Sequence, residues 1–268
     1  MSAVIRPALI GLPYDGSSSY LRGAAAAPPV IREALQSTAA NPWAERMVKT
    51  LCEDGFEDVG DLTLDGGEAA RREIERAIAA LVDRGRPFIA LGGDHSITYP
   101  ILRGLRAAGD GLTILHLDAH PDLYDEYEGD RFSHACPMAR IMEERLAARV
   151  VQVGIRAATA HQREQALRYG VEQIDMRAWT DGARPAIAGN VYLSIDLDAI
   201  DPAFAPGVSH REPGGLSVRD VLALMDLLDV NLVGADVVEF NPRQDIGGLT
   251  AGVAAKIVKE LLAKWQTA

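Results

Sequence analysis

The stretch LHLDAHPDLYDEYEGD, Leu115–Asp130, begins as a hydrophobic run and turns acidic, with Asp118, His120 and Asp122 at alternate positions. Three other apolar runs end in the same way. GGDHS contains His95, SIDLDAID contains Asp196 and Asp198, and ADVVE closes on Glu239. Residues two apart on an extended chain share a face. Asp118 with His120, and Asp196 with Asp198, can therefore each point two donors into one cavity, and Asp122 can fold back from just beyond its strand. Carboxylates gathered without a cation would push several of their pKa values up, and metal ions relieve that repulsion. Imidazole and carboxylate donors without thiolate suit Mn²⁺ well, and Zn²⁺ or Fe²⁺ less distinctively. His95, Asp118, His120, Asp122, Asp196 and Asp198 are too many donors for one catalytic ion with an open position. Because carboxylates bridge, the pattern points to a two-metal site that activates a shared water.

Taken singly, DAH or GGDH reads as a turn; the metal reading rests on the clusters recurring at successive strand ends. Other polar residues have plainer roles. Asp201, followed by Pro202, reads as the start of a turn, and Asp125, Glu126, Glu128 and Asp130 as a solvated loop. His116, flanked by Leu115 and Leu117, reads as a packed or hydrogen-bonded core residue. His161 and His210 read as surface or loop residues, and Cys136 as structural.

The elements that must carry these residues follow from the hydrophobic pattern. Strands are expected at Ala8–Leu12, Phe88–Leu91, Thr113–Asp118, Val150–Val153, Val191–Asp196 and Leu232–Val238. Helices are expected at Pro29–Leu35, Glu68–Asp83, Thr98–Ala107, Ala135–Ala147, Ala160–Tyr169, Val218–Leu228 and Ala251–Trp265. In the second of these, Ile74, Ile78, Leu81 and Val82 form a stripe at helical spacing. Ser217 and Asp220 make a capping box ahead of another. Strand and helix alternate without a linker or repeat, which predicts an α/β fold with a parallel sheet covered on both faces. Ligands of such sheets bind beyond the carboxyl ends of the strands, where all four polar clusters fall. The Pro- and Gly-rich stretch Asp201–Gly215 is expected to be a long ordered functional loop.

The chain has 268 residues, 48% hydrophobic and 24% charged, ordinary globular composition. With 27 Lys+Arg against 38 Asp+Glu, the formal net charge is −11. Such a surface repels nucleic acid and anionic membranes and attracts cationic small molecules. Two cysteines, Cys52 and Cys136, make no disulfide framework and suit a reducing cytoplasm. The sequence shows no signal peptide, transit peptide or membrane span, and a cytoplasmic protein is expected.

The segments LGGDHS, LDAHPDLYD, SIDLDAIDP and ADVVEFNP resemble the signatures of the ureohydrolase family, which comprises arginases, agmatinases and relatives. The resemblance runs over nearly the whole chain, as a single ureohydrolase domain spanning residues 1–268. YEGDRFSHACPMARIME, QVGIR and DPAFAPGVSHREPGGLS are most similar to the plant-type arginase branch. It implies a three-layer α/β/α sandwich with a mainly parallel central sheet and a binuclear Mn²⁺ centre. It also implies hydrolysis of a small cationic guanidino substrate by a metal-bridging hydroxide. Arginine would give urea and ornithine, and agmatine would give urea and putrescine. By the same resemblance His95, Asp118, Asp122 and Asp196 hold one ion, and His120, Asp118, Asp196 and Asp198 the other. Asp122 also orients the hydroxide, Glu239 accepts from the guanidinium, and His134 shuttles a proton to the leaving amine. A homo-oligomer, trimer or hexamer, is implied as well. The animal-type arginases place an Asn shortly after the DAHxD segment to contact the substrate carboxylate, whereas this chain has Leu123-Tyr124. Arg131 and Ser133 are alternative donors. Guanidinobutyrase and formimidoylglutamase activities are the other enzymatic readings, and a non-catalytic metal-binding homologue is the third.

Overall fold

The computed structural model describes residues 6–105 and 111–266. Short runs of Val, Ile, Leu and Phe form most of the sheet, and turn residues cut them off before a helix can form. The strands are β1 (Ala8–Gly11), β2 (Glu57–Asp61), β3 (Phe88–Leu91), β4 (Thr113–Leu117), β5 (Arg149–Ile155), β6 (Glu172–Asp175), β7 (Asn190–Asp196) and β8 (Asn231–Val238). The helices are α1 (Ala27–Gln36), α2 (Gly67–Val82), α3 (Thr98–Leu105), α4 (Pro137–Glu143), α5 (Ala160–Tyr169), α6 (Met176–Thr180), α7 (Val218–Leu227) and α8 (Leu249–Gln266). The capping box of Ser217 and Asp220 starts α7. Among the described residues, no helix is long and apolar enough to cross a membrane.

All strand pairs are parallel, in the order β2-β1-β3-β8-β7-β4-β5-β6. Alternation along each strand sends one set of apolar side chains to each face. Leu9, Leu91, Leu115, Val153 and Leu193 meet α1, α7 and α8 on one side. Ile10, Phe88, Ile114, Val150 and Tyr192 meet α2, α3 and α4 on the other. The result is the expected three-layer α/β/α sandwich.

Two strands and one helix do not follow from the hydrophobic pattern. β2 (EDVGD) and β6 (EQID) are the sheet's two outer strands, partly exposed and predominantly polar. An edge strand needs only one pairing partner and no continuous apolar run. The short α6 is likewise unforeseen. The helix expected at Ala135–Ala147 is confined to Pro137–Glu143, because Arg145 turns to φ 54° and Leu146 folds into the core. Of the helix expected at Thr98–Ala107, the last two residues lie outside the described residues.

The strand order has one consequence for the site. β3, β8, β7 and β4 are consecutive in the sheet. They lead in turn to His95, to Glu239, to Asp196, the last residue of β7, with Asp198, and to Asp118 with His120 and Asp122.

Candidate metal centre

The loop after β3 reaches the site through a close backbone approach. Gly93 lies against Tyr14 so tightly that a Cβ there would fall 1.6 Å from the Tyr14 carbonyl oxygen. Asp94 then caps the turn that carries His95 and accepts from the backbone N–H of Ser17 at 2.9 Å, which ties the Asp15–Ser19 loop to the site. After β7, Asp196 Oδ1 accepts from the Asp198 N–H at 2.8 Å and so starts the turn that presents Asp198. Asp122 and Glu239 are held at φ 52° and 62°. Left-handed backbone at a non-glycine residue is uncommon and concentrates at functional sites.

All six expected ligands converge. His95 Nδ1 lies 3.2 Å from Asp118 Oδ2, 3.0 Å from Asp122 Oδ2 and 3.2 Å from Asp196 Oδ2. Despite that proximity, Nδ1 is buried with no hydrogen bond of acceptable geometry. His120 Nδ1 lies 3.1 Å from Asp198 Oδ2 and 3.4 Å from Asp118 Oδ1. Asp118 thus stands between the two histidine groups. A nitrogen ringed by carboxylate oxygens and left without a hydrogen bond fits donors arranged around a cation rather than around a proton.

The electrostatics agree. Burial and the charges of Asp198 and Asp118 push Asp196 well above the usual carboxylate range. Burial and Asp118 push Asp122 up as well. Burial opposes ionisation of Asp118, but His116, His120 and His95 outweigh it and hold that carboxyl well below its ordinary value. Burial alone would lower both imidazoles. Asp118, Asp122 and Asp196 nevertheless raise His95 far above its ordinary value, and Asp198 and Asp118 raise His120. Protons on the histidines therefore balance the carboxylates. A divalent cation would replace those protons while freeing the nitrogen lone pairs to bind it.

His95 Nε2 lies 3.0 Å from Ser194 Oγ, which in turn donates to Asp236 Oδ1 at 2.7 Å. Asp236 also accepts from Tyr192 at 2.7 Å and Thr98 at 2.8 Å. Since the serine hydrogen is committed to Asp236, Ser194 Oγ accepts from His95 Nε2–H, and Nδ1 is turned to the carboxylates.

Beside the cluster, His134 Nδ1 and Glu239 Oε1 are 2.9 Å apart, and the same oxygen accepts from the His95 backbone N–H at 2.9 Å. His134 lies three residues before α4. Its Nε2 meets both the N–H of Ser19, at 3.2 Å, and the Ser19 hydroxyl, at 2.8 Å. The N–H suits an unprotonated nitrogen and the hydroxyl oxygen a protonated one, so either state has a partner. Burial alone would lower His134, but Glu239 raises it to about 9.

Ser19, His120, Asp122, His134, Asp196, Asp198 and Glu239 line a cavity of about 150 Å³ that also includes Tyr124, Tyr127, Gln162 and His210. His210 is a loop residue, as the sequence reading has it, and the structure adds that it lines the cavity. The loop Asp201–Gly215 carries its ring to within 5.3 Å of His134 and 5.9 Å of His120. Burial and the charge of His134 lower its pKa. Ser19 gave no sequence signal beyond a serine run following the first strand.

The plainer readings mostly stand. Asp201 accepts from Ala203, Gly214 and Gly215 N–H groups and pins its loop. Glu126, Glu128 and Asp130 are exposed, while Asp125 accepts from Gln165 at 2.6 Å. Cys136 is buried. Of the alternative donors, Arg131 pairs with Glu143 at 3.0 Å, and Ser133 Oγ accepts from the Ala135 N–H.

The sequence model of the Arginase family matches residues 6–263. Arginase 1, mitochondrial, of Arabidopsis thaliana is 46% identical over 275 aligned positions, covering 96% of this chain and 80% of that protein. An agmatinase of Halalkalibacterium halodurans is 34% identical, covering 96% of this chain and 91% of its own. The solved arginase from Medicago truncatula superposes with a TM-score of 0.90 at 41% identity, covering 99% of this chain and 89% of that one. A fold, a buried imidazole–carboxylate centre and a sequence that agree along the chain have one common reading: it belongs to the Arginase family, enzymes that hydrolyse guanidino groups.

Proposed function

We propose that the protein is a binuclear manganese hydrolase that cleaves the guanidino group of arginine or agmatine to urea and ornithine or putrescine. The observation that carries this is His95 Nδ1, buried among oxygens of Asp118, Asp122 and Asp196 at 3.0–3.2 Å yet without a hydrogen bond. The donor set of nitrogen and carboxylate oxygen suits Mn²⁺. His95, Asp118, Asp122 and Asp196 would hold one ion, and His120, Asp118, Asp196 and Asp198 the other. Bound there, the ions supply charge neutralisation and an activated water as nucleophile.

The chain's own residues divide the rest of the work. Asp122 orients the attacking water by accepting its hydrogen bond. Glu239 binds the guanidinium, whose planar N–H groups match a carboxylate, and holds the electrophilic carbon in place. His134, protonated at neutral pH, delivers the Nε2 proton to the departing amine nitrogen. Ser19 offers that nitrogen a partner before and after transfer. The protein is proposed to act in the cytoplasm, a compartment that suits the unpaired Cys52 and Cys136. A homo-oligomer, trimer or hexamer, is proposed too, and the exposed Ile246 and Leu249 near the start of α8 offer apolar surface for it.

The test is urea release by manganese-loaded protein on arginine, agmatine, 4-guanidinobutyrate and formiminoglutamate. Urea from arginine or agmatine supports the proposal. Formamide from formiminoglutamate, with no urea from any guanidino compound, rejects it.

A further inference from the structure

One tier below the candidate ligands, the sheet carries a line of polar side chains. The register pairs Gln173 with Gln152, Gln152 with His116, His116 with Ser194, and Ser194 with Asp236. In-register neighbours on parallel strands share a face, so these residues stand side by side across β6, β5, β4, β7 and β8. The tier farther from the site is Ile114, Val150 and Tyr192, and the tier above holds Asp118 and Asp196. Gln152, His116, Ser194 and Asp236 are all 0% exposed. Polar groups so deeply buried are costly unless every one is satisfied.

The bonds in the β6–β5–β4 half have a forced direction. Gln152 Nε2 lies 2.7 Å from the Pro121 carbonyl oxygen, which can only accept, so that corner of the amide is the NH₂ group. Gln173 Nε2 donates to Gln152 Oε1 at 2.7 Å, in agreement. The other Gln152 N–H reaches His116 Nδ1 at 2.9 Å, so Nδ1 carries the lone pair and Nε2 the proton. His116 Nε2 lies 2.8 Å from Asp118 Oδ2. The second oxygen of Asp118 accepts from the His120 backbone N–H at 2.6 Å.

We infer that Gln152 and His116 form a positioning relay for Asp118, in which the amide selects the imidazole tautomer and the tautomer places an N–H donor on the carboxylate shared by the two histidine groups. His116 belongs to the same cluster of donors, but both its ring nitrogens are committed, so it supports a ligand instead of acting as one. The inference rests on the proposed function only in taking Asp118 as a metal ligand. Outer hydrogen-bond partners of this kind typically change metal affinity by about 10–100-fold.

Two measurements test the relay. The first is manganese affinity, by chelator competition, of the wild type and of His116→Phe, His116→Gln and Gln152→Leu. Phe keeps a flat ring without the donor and is expected to weaken affinity by about 10–100-fold. Gln places an amide N–H where Nε2–H stood and is expected to recover most of the loss, which a merely space-filling role would not predict. Gln152→Leu is expected to fall between. The second is the imidazole ¹⁵N spectrum of His116 in metal-free and diamagnetic zinc-loaded wild-type protein, which needs no variant to fold. It is expected to show the Nε2–H tautomer alone. Unchanged affinity in His116→Phe, no recovery in His116→Gln, or an Nδ1–H tautomer overturns the relay. A wild type that takes up no manganese overturns the proposed function instead, and the tautomer still decides the relay.

Discussion

His134 and Glu239 are joined by a 2.9 Å contact between Nδ1 and Oε1, and Glu239 is itself fixed by the His95 backbone N–H. The pair therefore links the proposed proton donor, the proposed guanidinium acceptor and the loop of a candidate ligand. Substitution at the two positions weighs binding against proton delivery, with Glu239→Gln also removing the charge that raises His134. Glu239→Gln keeps the shape and removes the charge. It is expected to lower kcat/KM by about 10²-fold or more, since hydrogen bonds to charged groups contribute roughly 1.5–3 kcal/mol each. His134→Asn is expected to lower mainly kcat, by roughly 10²–10⁴-fold, the usual range for a lost general acid. Both should keep their metal. Steady-state kinetics with metal analysis checks this, and a fully active or metal-depleted His134→Asn removes the shuttle assignment.

The pH dependence of the same histidine is a second expectation. Glu239 raises His134 to about 9 against the opposing effect of burial. The group is therefore protonated and competent below that value and loses its proton as pH rises through it. The rate profile of the wild type is expected to descend with a midpoint near 9. His134→Asn should lack that limb. A wild-type profile still climbing well above this pH contradicts the role. Ser19→Ala, which removes the hydroxyl acceptor but keeps the N–H, should move the limb to lower pH.

Metal uptake should release protons. His95 and His120 are held protonated by the carboxylates around them, and a cation must displace those protons to reach nitrogen. Manganese affinity is therefore expected to fall as pH falls. Calorimetric titrations in buffers of different ionisation enthalpy measure the protons released, and zero release rejects the arrangement. About two Mn²⁺ per chain are expected after dialysis, and Asp196→Asn should reduce both sites together, because that residue is assigned to each.

The cysteines should differ sharply in reactivity. Cys52 is exposed and Cys136 is buried. Burial and the nearby Asp122 carboxylate push the Cys136 thiol up to about 12, and the thiolate is the reactive form. A thiol reagent at neutral pH is expected to titrate Cys52 alone in the native protein and Cys136 only after denaturation. Rapid native labelling of Cys136 contradicts that burial.

The candidate ligands were legible because each follows an apolar run, and carboxylates at the carboxyl ends of strands have few structural reasons to cluster. What the pattern could not supply was adjacency. That β3, β8, β7 and β4 are neighbours depends on crossovers that no local spacing encodes. The edge strands β2 and β6 were hidden because they need little apolar surface. Ser19 and His210 were hidden for another reason: they lie in irregular loops, and their roles depend on which ring or carboxylate the folded chain brings within reach. Ser19 lies eight residues past the end of β1, too far for the strand-end rule to mark it. His116 was readable as a hydrogen-bonded core histidine, but its partner Gln152 came from register alone.

The last strand in the chain is not at an edge. β8 lies between β3 and β7 and is the only strand in the described sheet that joins the β2-β1-β3 half to the β7-β4-β5-β6 half. As the polypeptide leaves the ribosome, neither half can close on the other until residues 231–238 have emerged. His95 on one side and Asp118 and Asp196 on the other then meet for the first time. The pairings that bring them together span long sequence separations, which makes this closure a late and slow event in folding. The His120 group, drawn from β4 and β7 alone, can assemble within the β7-β4-β5-β6 half, whereas His95 joins it only in a chain that has reached β8, so one half of the centre precedes the other during synthesis.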